Sequence, residues 1–270
     1  MSAVSSAPIG IFDSGIGGLT VAQAVKRELP QEQLIYFGDT AHLPYGDKST
    51  AAIQAYSIKI TQLLLEKGCK LILIACNSAS AAAYDLVKEY VGNKAKVLNV
   101  IDPVVDYLRE HYPNSTVGLI GTKQTVNSGV YQEKVSALNQ NINLPSLATP
   151  LLVPLIEEGF FQGDISEKII EQYLSNPLLR DLQAIILGCT HYPLIKPTIQ
   201  RYYGSNVEVI DSSEIVSRAL NSYLGFNNLY NRGAVNPDYF MVSDFTDSFE
   251  SSTKQFFGEA IHLELVQLTD

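Results

Sequence analysis

The chain has 270 residues, which at roughly 150 residues per domain suits two domains or one large one. Apolar residues make up 46% and charged residues only 17%, a balance that belongs to folded chains and excludes global disorder. Nineteen basic against 28 acidic side chains leave a net charge of −9, which argues against a nucleic-acid partner gripped by its phosphates and points to a small molecule.

The opening MSAVSSAP has no basic start leading into an apolar segment, so it does not read as a secretory signal and the cytosol is the expected location. Short apolar runs then recur, each closed by a polar or glycine-bearing turn: residues 9–15 (IGIFDSG), 34–40, 71–78 (LILIACNS), 97–102, 117–122, 184–190 (AIILGCT) and 207–213. Several of them lack alternation, as strands covered by helices on both faces do. Between them, Val21, Val25 and Leu29 and then Ile53, Tyr56, Ile60, Leu63 and Leu64 follow helical spacing. The alternation predicts an α/β fold with mainly parallel sheets. The longest apolar run, 71–76, is far short of the ~20 residues a membrane helix needs. Possible strands at 239–244 and 262–268 close the chain and could return to the first half.

A longer regularity overlies these elements. The run starting at Ile9 precedes the one ending at Ala75 by 66 residues, and the run starting at Val117 precedes the one ending at Gly188 by 71. Each pair closes on a cysteine and two polar residues, Cys76-Asn77-Ser78 and Cys189-Thr190-His191. The expectation is two pseudo-symmetric α/β domains, 1–98 plus 213–270 carrying Cys76 and 99–212 carrying Cys189, with the active site in the cleft between them.

Ligands of open α/β sheets bind beyond the carboxyl ends of the strands, and the motif residues gather there. Asp13-Ser14-Gly15 follows the first run, with Gly17 and Gly18 loosening the turn; a ligand-free connection uses the same residues. A dinucleotide fingerprint is incomplete, because Thr20 stands where the third glycine belongs, and no Walker sequence occurs. Either strand-end cysteine alone would read as a small core residue. Two in matching places suggest a pair of acid/base groups, each with a pKa lowered by a helix N-terminus. Cys69, just before a strand, reads as structural. His191 could assist a ligand or a thiolate, Tyr45-Gly46 offers an aromatic lid, a phenol and a small backbone site, and His42 carries no assignment. Three cysteines without a C-x-x-C pair fit neither a disulfide framework nor a zinc module, and no metal is expected.

Five motifs in order, F-D-S-G-x-G-G (12–18), Y-F-G-D-T…P-Y-G (36–46), A-C-N-S (75–78), P-L-I-E-E-G (154–159) and L-G-C-T-H-Y-P (187–193), closely resemble the bacterial glutamate racemases of the aspartate/glutamate racemase superfamily. The resemblance implies an isomerase that interconverts L- and D-glutamate without a cofactor and supplies D-glutamate for peptidoglycan, commonly as a homodimer. Carried over residue by residue, Cys76 and Cys189 would be the catalytic acid/base pair, assisted by Asp13, Glu157 and His191. Asp13, Ser14, Tyr45, Gly46, Asn77, Ser78, Thr190 and His191 would bind the amino acid. Cys76 would act on the D-isomer and Cys189 on the L-isomer. Ser78 and Thr149 depart from the commoner threonine and cysteine. A thiol on each face of the α-carbon, at ~3 to 3.5 Å, would place the sulfurs roughly 7 Å apart. An aspartate or broad-specificity racemase is the alternative enzyme, and a noncatalytic amino-acid-binding module the alternative from another class.

Overall fold

The computed structural model describes residues 5–245 and 247–268; the segment read above for a signal begins in residues 1–4, outside the described residues. Among the described residues, ten strands form two parallel sheets. The first contains β1 (Ile9–Asp13), β2 (Leu34–Gly38), β3 (Leu71–Ile74), β4 (Lys96–Asn99), β9 (Tyr239–Val242) and β10 (Glu264–Leu265), in the order β10-β9-β2-β1-β3-β4. The second contains β5 (Val117–Gly121), β6 (Ser146–Ala148), β7 (Ala184–Gly188) and β8 (Glu208–Asp211), in the order β6-β5-β7-β8. The first four strands of each sheet therefore share one order, second-first-third-fourth, which is the repeat expected from the spacing of the cysteine motifs.

Every residue of β1, β2, β3, β5 and β7 is buried, which explains their unbroken apolar sequences: helices cover both faces. The helices are α1 (Leu19–Glu28), α2 (Thr50–Glu66), α3 (Asn77–Val91), α4 (Ile101–His111), α5 (Lys123–Asn127), α6 (Val130–Ala137), α7 (Leu152–Glu157), α8 (Asp164–Leu174), α9 (Lys196–Tyr203), α10 (Ser212–Phe226) and α11 (Asp247–Phe257). None among the described residues is long and apolar enough to cross a membrane.

In the tail, β9 pairs with β2 and β10 with β9, while α10 packs on α1 and on α4. One apolar core runs through both halves, taking in Ile9 and Leu73 from the first sheet and Ile120 and Leu187 from the second. Cys69 belongs to the first half's own core, with its sulfur 3.0 Å from where a Cβ on Gly10 would lie. That is the structural role expected for it. Strand β6 has no counterpart among the sequence expectations.

Candidate active site

The carboxyl ends of β1 and β3 in one sheet and of β5 and β7 in the other meet at a single cavity. Ser14, Tyr45, Gly46, Cys76, Asn77 and Ser78 border it from the first half, and Thr122, Thr149, Cys189, Thr190 and His191 from the second. The two strand-end cysteines thus face a common space, and each is nearly wholly buried. Among the described residues no cluster of three or more His, Cys, Asp or Glu side chains is placed to hold a metal.

Cys76 caps the N-terminus of α3, its sulfur accepting from the Ala79 amide at 3.4 Å, and its thiol donates to Ser14 Oγ at 3.7 Å. The sequence reading expects such a helix end to lower the thiol's pKa, and the structure reverses it. Burial, and next the negative charge of Asp13, outweigh the Ala79 and Ser14 bonds and push Cys76 up to about 12. Cys76 therefore rests as a neutral thiol, a proton donor.

Asp13, buried at the end of β1, accepts from the Gly15 amide at 3.1 Å and from Thr190 Oγ1 at 3.3 Å. Burial raises its pKa despite His191, the Gly18 and Gly15 amides and Thr190, all of which favour the carboxylate. The Thr190 contact joins the two halves. Thr20 adds another such tie, its hydroxyl lying 2.9 Å from Thr190 O and 3.0 Å from Gly17 O. So the residue that spoils the dinucleotide fingerprint ties the turn after β1 to the turn after β7.

The Cys189 side is built differently. His191 Nδ1 lies 3.7 Å from the Cys189 sulfur, and His191 Nε2 lies 2.9 Å from Glu157 Oε1 on α7. Burial alone would lower the imidazole, but hydrogen bonds to Cys189 and Glu157, and next the Coulombic interaction with each, raise it to about 10. His191 is accordingly an imidazolium at neutral pH, both nitrogens donating, one toward the Cys189 sulfur. Gly17 sits against this ring: a Cβ there would fall 2.4 Å from Nδ1 and Cε1. The edge of the ring meets Phe256 of α11 with centroids 5.4 Å apart.

The remaining expected residues divide by what they offer. Tyr45 borders the cavity, but its hydroxyl donates to Asp39 Oδ2 at 2.6 Å and its ring is buried. It supplies a wall, and its phenol is already committed. His42 explains this arrangement, sharing Asp39 at 2.8 Å and stacking on Tyr56. At Gly46 a Cβ would lie 2.9 Å from Thr122 Cβ, so the site is closed tightly there. Ser78 Oγ pairs with Thr122 Oγ1 at 2.8 Å. Asn77 accepts from the Tyr131 hydroxyl at 2.9 Å, while its Nδ2 has no partner among the described residues.

Thr122, absent from the expected site, caps α5 after β5. The signal for it was the strand-then-turn pattern at 117–122, identical in kind to the one used for Asp13-Ser14. Thr149, in sequence only a departure from the family's commoner cysteine, borders the cavity with its hydroxyl 2.6 Å from that of Tyr192.

A family model described as Asp/Glu/Hydantoin racemase matches residues 19–220. Glutamate racemase from Chlorobaculum parvum is 39% identical over 264 residues, 97% of each chain. Among solved structures, glutamate racemase from Francisella tularensis in complex with D-glutamate superposes with a TM-score of 0.91 at 41% identity, covering 98% of this chain and 99% of that one. A glutamate racemase isoform from Bacillus anthracis superposes with a TM-score of 0.92 at 30% identity, covering 98% and 99%. With two strand-end thiols at one cavity and this agreement over the whole chain, the protein belongs to the Asp/Glu/Hydantoin racemases and, within them, to the glutamate racemase family.

Proposed function

We propose that the chain interconverts L- and D-glutamate by moving protons between the α-carbon and its two cavity thiols, with no cofactor or metal in the scheme. The two lobes, 1–98 with 213–270 and 99–212, act as jaws that each bring one sulfur to the stereocentre. The observation that carries the reading is that Cys76 and Cys189, from different sheets, are both buried against one cavity with unlike polar surroundings.

From L-glutamate, a Cys189 thiolate paired with the His191 imidazolium takes the α-proton, and the C–H electron pair stays on the carbon. The Cys76 thiol returns a proton to the opposite face. D-glutamate leaves, with Cys189 now a thiol and Cys76 a thiolate; the reverse reaction exchanges the roles. Glu157 holds His191 beside Cys189, while Asp13 disfavours charge on Cys76, so the two sulfurs sit in unlike electrostatic surroundings. The unpartnered Asn77 Nδ2, the hydroxyls of Ser14, Ser78 and Thr190, and the walls at Tyr45 and Gly46 receive the carboxylates and ammonium. Neutral donors suit an anionic substrate in a chain of net charge −9. Action in the cytosol, a homodimeric assembly and the supply of D-glutamate for peptidoglycan complete the proposal.

In deuterated water the wild type is expected to place deuterium at the α-carbon as L-glutamate becomes D-glutamate. Cys76→Ser and Cys189→Ser should each lose interconversion by at least about 100-fold, the low end for an acid/base group. Near wild-type turnover by either variant, or glutamate binding without exchange, overturns the scheme.

A further inference from the structure

Asn77 is buried and borders the cavity, yet its amide nitrogen lacks a partner among the described residues. An amide can present either end, and a substrate oxygen needs the nitrogen. What decides the orientation lies outside the cavity. Tyr131, on α6 in the second half of the molecule, is completely buried, and its hydroxyl donates to Asn77 Oδ1 at 2.9 Å. Burial, with the charge of Asp102, holds this phenol above its ordinary value, so the hydroxyl keeps its proton and stays a donor. Flipping the amide would take the acceptor away from a buried O–H, an expensive exchange.

We propose that Tyr131 is a positioning residue for the racemisation: through Oδ1 it locks the Asn77 amide so that Nδ2 is presented to a carboxylate oxygen of the bound amino acid. The inference rests on the two-thiol reading for its substrate. It adds that one donor of the substrate cradle, on the first residue of α3, is aimed by a side chain from the opposite lobe. The cradle is therefore complete only when α3 and α6 are in contact.

The test is a double-mutant cycle on the full chain with Tyr131→Phe, Asn77→Ala and the pair, followed by KM and kcat for both glutamate enantiomers and by calorimetric binding of D-glutamate. Thermal unfolding is measured alongside. Tyr131→Phe keeps the ring and should weaken KM and Kd by about five- to tenfold, the value of one hydrogen bond. Asn77→Ala should weaken them at least as much, and the double variant should match Asn77→Ala, because Tyr131 acts only through that amide. Losses that multiply, or a Tyr131→Phe protein that binds like wild type, overturn the proposal. Should Asn77→Ala fail to fold, Asn77→Ser supplies the second background. A wild type that binds glutamate without racemising it ends the two-thiol reading while the binding cycle still decides on Tyr131. One that racemises glutamate with a multiplicative cycle ends only the Tyr131 assignment, and one that does neither ends both.

Discussion

His191 is contacted at both ring nitrogens, by the Cys189 sulfur on one side and the Glu157 carboxylate on the other. These contacts overcome the effect of burial and keep it protonated until the pH climbs to about 10. Glu157→Gln removes one of the two supports and leaves burial unopposed on that side. The imidazolium is then lost at lower pH, so the alkaline fall of kcat/KM should move down by roughly one pH unit, given what a charged hydrogen bond contributes. A pH–rate profile of the variant that overlays the wild type would dismiss this role for Glu157. At this scale the sequence exposed the residues that meet at the cavity better than their tuning. Cys189 and His191 are two positions apart and could be seen together, whereas Glu157 is 34 positions from His191 and came only from the family resemblance. The pKa of Cys76 was misread for the same reason. Its helix end is visible in the residues that follow it, but burial and the charge of Asp13, far away in the chain, are not.

Helix α3 is capped by the cysteine that precedes it, an unusual cap: Ser, Thr, Asn and Asp oxygens accept from the first-turn amides far better than sulfur does. Cys76→Ser therefore replaces a 3.4 Å N–H···S contact with a stronger cap. The variant that should abolish the reaction is expected to melt at or slightly above the wild-type temperature, a gain of the order of 0.5–1 kcal/mol. Thermal unfolding checks this, and a Tm several degrees lower would show that the sulfur's packing matters more than the cap. The rest of α3 needs little help. Its alanine-rich sequence favours helix and Gly92, at φ 55°, ends it. Elements were legible where burial is complete: β1, β2, β3, β5 and β7 read as unbroken apolar runs because helices cover both faces. Strand β6 escaped notice because it has three half-exposed residues at a sheet edge, and its pairing with β5 leaves no mark on its own composition. The Asn77–Tyr131 bond, 54 positions apart, likewise has no local signature.

Across the whole molecule, four tyrosines are buried to 1% exposure or less, Tyr36, Tyr45, Tyr131 and Tyr192. Burial is the first cause that raises each of them above the ordinary value of 10. A group whose folded pKa is raised stabilises the fold below its unfolded pKa and loses that contribution as the pH climbs past it. Above pH ~10 each phenol then withdraws about 1.4 kcal/mol per pH unit, and the four together roughly 5. For a domain stable by ~5–15 kcal/mol, cooperative alkaline unfolding should follow within about one to three units beyond pH 10. The phenolate absorbance of these four should appear only together with the change in circular dichroism. Phenolate appearing in a still-folded chain near pH 10, in the amount of all fifteen tyrosines, would contradict the account. At this scale the two-lobed plan was the most readable feature, because a repeated strand-end cysteine is a periodicity, and periodicities survive in sequence. The shared core linking the halves was not, since contacts between distant segments carry no spacing of their own.

The edge of β2 is covered by β9, from residues 239–242, while β5 to β8 are all drawn from 117–211. A ribosome therefore releases everything the second sheet needs before it releases the strand that seals the first. Through most of translation the N-terminal sheet waits with one flank of backbone amides and carbonyls bare, the kind of edge that invites mispairing with a neighbouring nascent chain. Closure of the first sheet thus waits on residues 239–242, and a chain cut short before them would keep both strand-end cysteines yet lack the strand that shields the sheet bearing the first.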